Sequence, residues 1–200
     1  PDTFGGSEHV AAEQARRLAQ RGHNVDVFTE RVRDLLPERV QEGNLTIYRY
    51  GSESKFARPA GLSRTDLAEV PKLIRSMMRG GMSWDVAILH HPFPAHGFFR
   101  AALRIPALYI FHASTAKEVA FEGTTRWSAF TPLFVKWTYH VERASLTRSS
   151  RIAVLSDFSA QLLQETYPSV HKKIMRLPIG IDTETFAPAD RGKAKERLGY

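Results

Sequence analysis

The residues with chemistry to offer fall into two groups. Near the start, Phe4-Gly5-Gly6-Ser7-Glu8-His9-Val10 sets two adjacent glycines directly ahead of a helical pattern. Glycine lets backbone N–H groups come close to a ligand, and a helix N-terminus adds unpaired donors and the positive end of the helix dipole. Together these suit a phosphate or diphosphate. An ordinary tight turn would use the same two glycines, so the pattern alone reads both ways. Glu8 opposes a bound anion unless its carboxylate turns aside or serves a second ligand. The other group is histidine: His90, His91 and His96, then His112. A neutral imidazole donates one hydrogen bond and accepts another, so in a crevice it can orient a hydroxyl or handle a proton. A histidine that only ends a strand in a polar crevice looks the same in sequence. No helical His-x-x-x-His pair and no cysteine supports a zinc site. Glu118 and Glu122, four residues apart, could meet an acceptor hydroxyl or lie on a solvated helix face.

These residues need elements to hold them. Ala11, Ala15, Leu18 and Ala19 recur at helical spacing, with Glu13, Arg16, Arg17 and Gln20 opposite, and Gly22 ends that helix. Residues 25–29 and 45–50 alternate like strands, with a polar stretch over 31–43 between them and a loop from Gly51 to 63 beyond. Val70, Leu73, Ile74, Met77 and Met78 make a helical stripe, with Pro71 in its first turn or at a kink. Short apolar runs at 85–89, 107–111 and 151–155 have the character of buried parallel strands. A short helix is predicted over 97–103, and a loop with partial helix over 113–123. Thr131-Pro132 opens a longer helix with an apolar stripe of Phe130, Leu133, Phe134, Trp137, Val141 and Ala144. Ser156 caps a helix over 157–166, residues 173–177 form a last strand, and 193–198 are predicted to be helical. Alternating strands and helices predict an α/β fold with a parallel, doubly wound sheet. Such sheets bind ligands at the C-terminal ends of their strands, which puts His90, His91 and His112 in one crevice.

The bulk properties narrow the function. The chain has 200 residues, 42% hydrophobic and 24% charged, enough to bury a real core. It has no cysteine, so no disulfide framework and no thiolate chemistry. No apolar run approaches the ~18 residues of a membrane span, and no leader is expected from these residues. The expected setting is cytoplasmic. Net charge is +7 with a pI near 9.9. Its Lys and Arg are scattered, without the aromatic interleaving of a nucleic-acid surface, so nucleic acid is not an expected partner. A nucleotide-linked substrate or an anionic lipid surface fits better. Trp127 and Trp137 could reach a membrane interface, or simply pack.

The order of these pieces resembles the first half of the family 4, or group 1, retaining glycosyltransferases of GT-B fold. Gly5-Gly6-Ser7-Glu8-His9-Val10 with Leu18-Ala19-Gln20-Arg21-Gly22-His23-Asn24-Val25 is similar to that family's GG-x-E-x-x-V…LA-x-x-G-H-x-V opening. Asp85-Val86 with His90 resembles its D-hydrophobic-x-x-x-H strand, and Pro106 through His112 its P-x-x-x-x-x-H strand. Ser156 resembles the serine ending its next strand. Leu177-Pro178-Ile179-Gly180-Ile181-Asp182-Thr183-Glu184-Thr185-Phe186-Ala187-Pro188 resembles its P-N-G-V-D-x-x-x-F-x-P segment, with Ile179 where many relatives carry asparagine.

The resemblance implies a Rossmann-like doubly wound parallel sheet, the N-terminal half of a GT-B glycosyltransferase. Residues 1–182 would form the acceptor-side domain and 183–200 a linker toward a C-terminal donor-binding domain. That domain, and a strand ahead of Gly5, would lie outside these 200 residues. The implied reaction moves a sugar from a nucleotide-diphosphate sugar to an acceptor hydroxyl with retention. The nucleotide sugar is a co-substrate; no other cofactor is implied and, with no Asp-x-Asp motif, no metal. His112 would be catalytic, and Gly5 and Gly6 would contact the donor diphosphate. Glu8, His9, His90, His91, His96 and Glu118 would face the acceptor, a sugar or glycolipid, with peripheral membrane contact open. The isolated chain, having one wall of a two-walled cleft, is expected to be inactive. Two other classes stay in view. One is a non-enzymatic nucleotide- or sugar-phosphate-binding module. The other is an NAD-dependent oxidoreductase, which the missing third glycine of G-x-G-x-x-G weakens.

Overall fold

The computed structural model describes residues 5–31, 36–51, 64–126, 131–178, 180–183, 186–188 and 190–199, and of 64–66, 122–126 and 131 the backbone only. The expected loop beyond Gly51, the residues Trp127, Phe130 and Ile179, and the Glu122 side chain lie outside this description.

Helix α1 (Gly6–Gln20) ends as its sequence asks, with Gly22 at φ 92° and the His23 N–H reaching back to the Leu18 carbonyl at 3.2 Å. It leads into strand β1 (Val25–Glu30), followed by β2 (Arg39–Glu42) and β3 (Leu45–Tyr50). β1 and β3 pair in parallel with Val25 opposite Leu45. β2 pairs antiparallel to β3 with Glu42 opposite Leu45, leaving Gly43-Asn44 as the turn and Gly43 at φ 57°. The polar stretch over 31–43 is therefore partly a strand, against the expectation. Helix α2 (Arg64–Arg79) follows, with Pro71 inside it and Val70 and Ile74 each 2% exposed.

The second sheet carries β4 (Ala87–Leu89), β5 (Ala107–Phe111), β6 (Arg151–Val154) and β7 (Ile174–Arg176), in that order and all parallel. Parallel neighbours need crossovers. These are α3 (Pro92–Arg100), then α4 (Thr115–Arg126) with α5 (Thr131–Arg148), then α6 (Asp157–Thr166) with a 3-10 turn over Pro168–Lys173. A last short helix, α7 (Arg191–Arg197), has no buried residue. The fold is α/β, doubly wound and Rossmann-like.

Three local expectations change. α3 starts at Pro92, because His91 is extended and proline is pre-set for the first helical position. The stretch after His112 is a full helix, α4. Leu133 is 71% exposed, since the buried face of α5 runs through Thr138, Val141, Glu142, Ser145 and Leu146. The core gathers Phe111, Leu146, Ile152 and Leu163, all at 0% exposure, with Tyr109, Val154 and Tyr167 beside them. Each such apolar side chain contributes about 1.5–3 kcal/mol by leaving water. The two sheets are stitched by Trp84, whose indole N–H donates to Asp26 Oδ2 at 2.8 Å while its edge meets Phe28.

Candidate active site

β4 and β5 are in parallel register, Leu89 opposite Tyr109, so both leave the sheet at the same edge. His90 and His112 are the next residues out. Their rings stack with centroids 5.4 Å apart, and His90 Nδ1 lies 3.1 Å from His112 Nε2. Two imidazole nitrogens at that distance hold one proton between them, because two lone pairs would repel and two N–H groups would collide. Burial, and then the like charge His112 would carry, pushes His90 down to about 4. Burial lowers His112 too, with Glu8 pulling it back up. Both rings are therefore neutral at neutral pH. Each ring keeps one nitrogen outside this contact, His90 Nε2 and His112 Nδ1, and the one on the residue expected to be catalytic is His112 Nδ1. It donates when the shared proton sits on His90 and accepts when that proton sits on His112.

His91 is the extended residue just before α3, exposed, with its ring tilted against Phe93 at 5.5 Å. The charge of Glu8 reaches both His91 and His112, so the start of α1 stands at this same edge. The Ser7 hydroxyl donates to Glu8 Oε2 at 2.8 Å, and the carboxylate folds over Gly5, where a Cβ would come within 1.9 Å of it. Gly6 differs. A Cβ there meets nothing within 4 Å, and Gly6 is not among the residues at positive φ. Folding of α1 thus asks for no glycine at 6, and of the two sequence readings the ordinary tight turn finds no support there, where the space over the helix end is open.

The helix N-termini along this edge are not equivalent. α6 is capped by the Ser156 hydroxyl on the Ser159 N–H at 3.1 Å. At α4 the first N–H groups, Thr115 and Ala116, bond Glu142 at 3.1 and 3.2 Å. α3 has no side-chain cap but begins Pro92-Phe93-Pro94, so two of its first three residues bring no N–H. α1 has no side-chain cap and a full set of donors, the most of the four to offer an anion, but the Glu8 carboxylate folded over Gly5 must turn aside before one binds there.

The remaining candidates scatter. His9 is exposed on α1, with its N–H on the Gly5 carbonyl at 3.1 Å. Glu118 is exposed on the first turn of α4, its charge felt by buried Tyr109. His96 is not brought to this edge. It lies where Arg100 and Arg148 act on it, and its Nδ1 is buried with no hydrogen-bond partner. Among the described residues no three of His, Cys, Asp and Glu converge as a metal site requires.

The family model for Glycosyltransferase Family 4 matches residues 4–185. The chain belongs to Glycosyltransferase Family 4. It is 26% identical over 203 residues to D-inositol 3-phosphate glycosyltransferase 1 of Catenulispora acidiphila, covering 98% of this chain and 46% of that protein. It is also 26% identical over 206 residues to the D-inositol 3-phosphate glycosyltransferase of Stackebrandtia nassauensis, covering 98% and 44%. The chain spans about half the length of the curated relatives it matches. Among solved structures, sucrose-phosphate synthase from Thermosynechococcus elongatus superimposes with a TM-score of 0.70 at 19% identity, over 98% of this chain and 47% of that one. A second structure of that synthase gives 0.62 at 16% identity, over 94% and 93%. The shared fold is the Rossmann-like half of a GT-B glycosyltransferase.

Sequence reasoning missed one group beside the site of this family 4 chain: Glu142, Ser114 and Tyr167. Its signal was a carboxylate at helical spacing from Thr138, Ser145 and Leu146, on a face that turns out fully buried.

Proposed function

We propose that this family 4 chain forms the acceptor-side wall of a glycosyltransferase that moves a sugar from a nucleotide-diphosphate sugar to an acceptor hydroxyl, with retention at the anomeric carbon. The observation that carries the reading is the neutral His90–His112 pair at the strand edge that also holds the uncapped start of α1. A neutral ring can orient a sugar hydroxyl through His112 Nδ1 without adding charge. The N–H groups after Gly5 and Gly6 can share the charge that builds on the departing diphosphate, which is electrostatic stabilisation by preset donors. Glu8, His9 and His91, all exposed, are available to the acceptor. The names of the two relatives make a phosphorylated inositol the first acceptor to try. The nucleotide sugar acts as co-substrate, and no further cofactor enters the reading. A cytoplasmic setting is part of the proposal; among the described residues no helix is long and apolar enough to cross a membrane. Trp137 packs on Phe93 and Phe134, which accounts for it without a lipid surface.

In the full-length enzyme, His112→Ala is expected to cut kcat by about 10²-fold or more, as losing one well-aimed polar contact can, with the melting temperature little changed. Near-normal kcat would remove His112 from the reaction. Calorimetry with a UDP-sugar, a GDP-sugar and NAD separates the other classes. Binding of a nucleotide sugar with no turnover on any acceptor would favour a binding module, and NAD binding an oxidoreductase.

A further inference from the structure

Behind His112 the chain buries a carboxylate for which the proposed reaction has no use. Glu142, on α5, is 0% exposed. Its Oε2 accepts from the Tyr167 hydroxyl at 2.6 Å, the Ser114 hydroxyl at 3.1 Å and the Ala116 N–H at 3.2 Å, and its Oε1 from the Thr115 N–H at 3.1 Å. Backbone N–H groups can only donate. The Ser114 oxygen accepts from the Lys117 N–H at 3.4 Å, which leaves its hydrogen for Glu142. Burial and the neighbouring carboxylate hold the Tyr167 hydroxyl far above its ordinary value, so it too stays a donor. Burial holds the Glu142 carboxyl above its ordinary value, with the four donors opposing that only in part, and the positive end of α4 favours a negative charge. α4 is thus capped from another helix, at the residues that follow His112.

We infer that Glu142 is a positioning residue for His112: by fixing Ser114, Thr115 and Ala116 it fixes the short step out of β5, and so the His112 ring against His90. This rests on the reading that His112 lies at the reacting centre. The test uses the full-length protein with ¹⁵N-labelled histidines. Glu142→Gln turns an acceptor oxygen into an amide that faces donors. It is expected to shift or broaden the ring resonances of His90 and His112, while exposed His171, on its own 3-10 turn, keeps its signal. kcat should fall by roughly 10-fold or more with KM nearly constant, as for a misplaced reacting group. Tyr167→Phe keeps the ring and removes one donor to Glu142, while the bonds from Ser114, Thr115 and Ala116 remain. It should lower the melting temperature yet leave the histidine spectra as in wild type, separating positioning from general loosening. Amide exchange in the wild type decides even if Glu142→Gln does not fold. Thr115 and Ala116 should exchange far more slowly than Ser7 at the uncapped start of α1. Exchange as fast as that of Ser7, or a folded Glu142→Gln protein with unmoved histidine spectra, would overturn the inference. Full turnover in His112→Ala would instead overturn the functional reading and leave the exchange and spectral results standing.

Discussion

The contact between His90 and His112 ties the charge of the site to a single proton, and that has a thermodynamic consequence. His90 titrates near 4 in the folded chain, well below the ordinary 6.5, so the unfolded chain binds protons first as pH falls. The stability this neutral histidine supports is whole above about 6.5 and is lost progressively toward about 4. Urea unfolding measured across that window should therefore show stability falling with pH, and His90→Gln should make the slope shallower. An unchanged slope in the variant would mean that His90 is not held neutral. Strand ends alone placed His90 and His112 in one crevice, because parallel strands of matched register deliver their next residues to the same edge. That the two rings touch was not legible; it depends on ring orientations set by packing. For His96 the sequence carries no mark of which way a helical histidine faces; in the structure the charges of Arg100 and Arg148 act on it.

At the level of elements, the start of α1 is open and uncapped while those of α4 and α6 are occupied by Glu142 and Ser156. Gly6→Ala should therefore leave folding stability unchanged or raise it by about 0.4–1 kcal/mol, since the new Cβ meets nothing and the backbone suits it. In the full-length enzyme the same methyl group, and more so the side chain of Gly6→Val, should weaken nucleotide-sugar binding measured by calorimetry, with the acceptor KM less affected. Equal donor affinity in wild type and variants would remove Gly6 from the donor site. Elements were legible where local signals agreed. Ser156 and the apolar spacing behind it marked α6 at both ends. β2 escaped because Arg39, Gln41 and Glu42 are exposed and show no apolar alternation, although the Gly43-Asn44 pair is itself a hairpin signal. α4 escaped although Ser114 stands at its cap position and accepts from the Lys117 N–H, because the carboxylate that takes up its first N–H groups, Glu142, is remote in sequence.

On the scale of the whole molecule, the described strands form two sheets rather than one, joined through Trp84 and Asp26 and through a core that both share. In the proposed function the edge that holds His112 is one wall of a cleft. Assayed alone with a panel of nucleotide sugars, the 200-residue chain is expected to release no nucleotide diphosphate, since a departing diphosphate would lack donors from the facing side, each of which can be worth ~10²–10³ in rate. Release clearly above a protein-free blank would refute the two-wall reading. The strand registers also set an order in time. Glu42 and Leu45 close across a two-residue turn, a step of about 1–10 μs for a hairpin. Phe111 meets its neighbour in β6 only after α4 and α5 have both been laid down. Non-local parallel pairing of this kind is slow, because loop closure must come before any contact rewards it. Pulse-labelling during refolding should accordingly protect the amide of Ile47 before that of Ile110, and the reverse order would contradict the scheme. The β2–β3 hairpin would then be the oldest part of each newly folded molecule, and the imidazole pair, which exists only once β4 and β5 stand side by side, among the youngest.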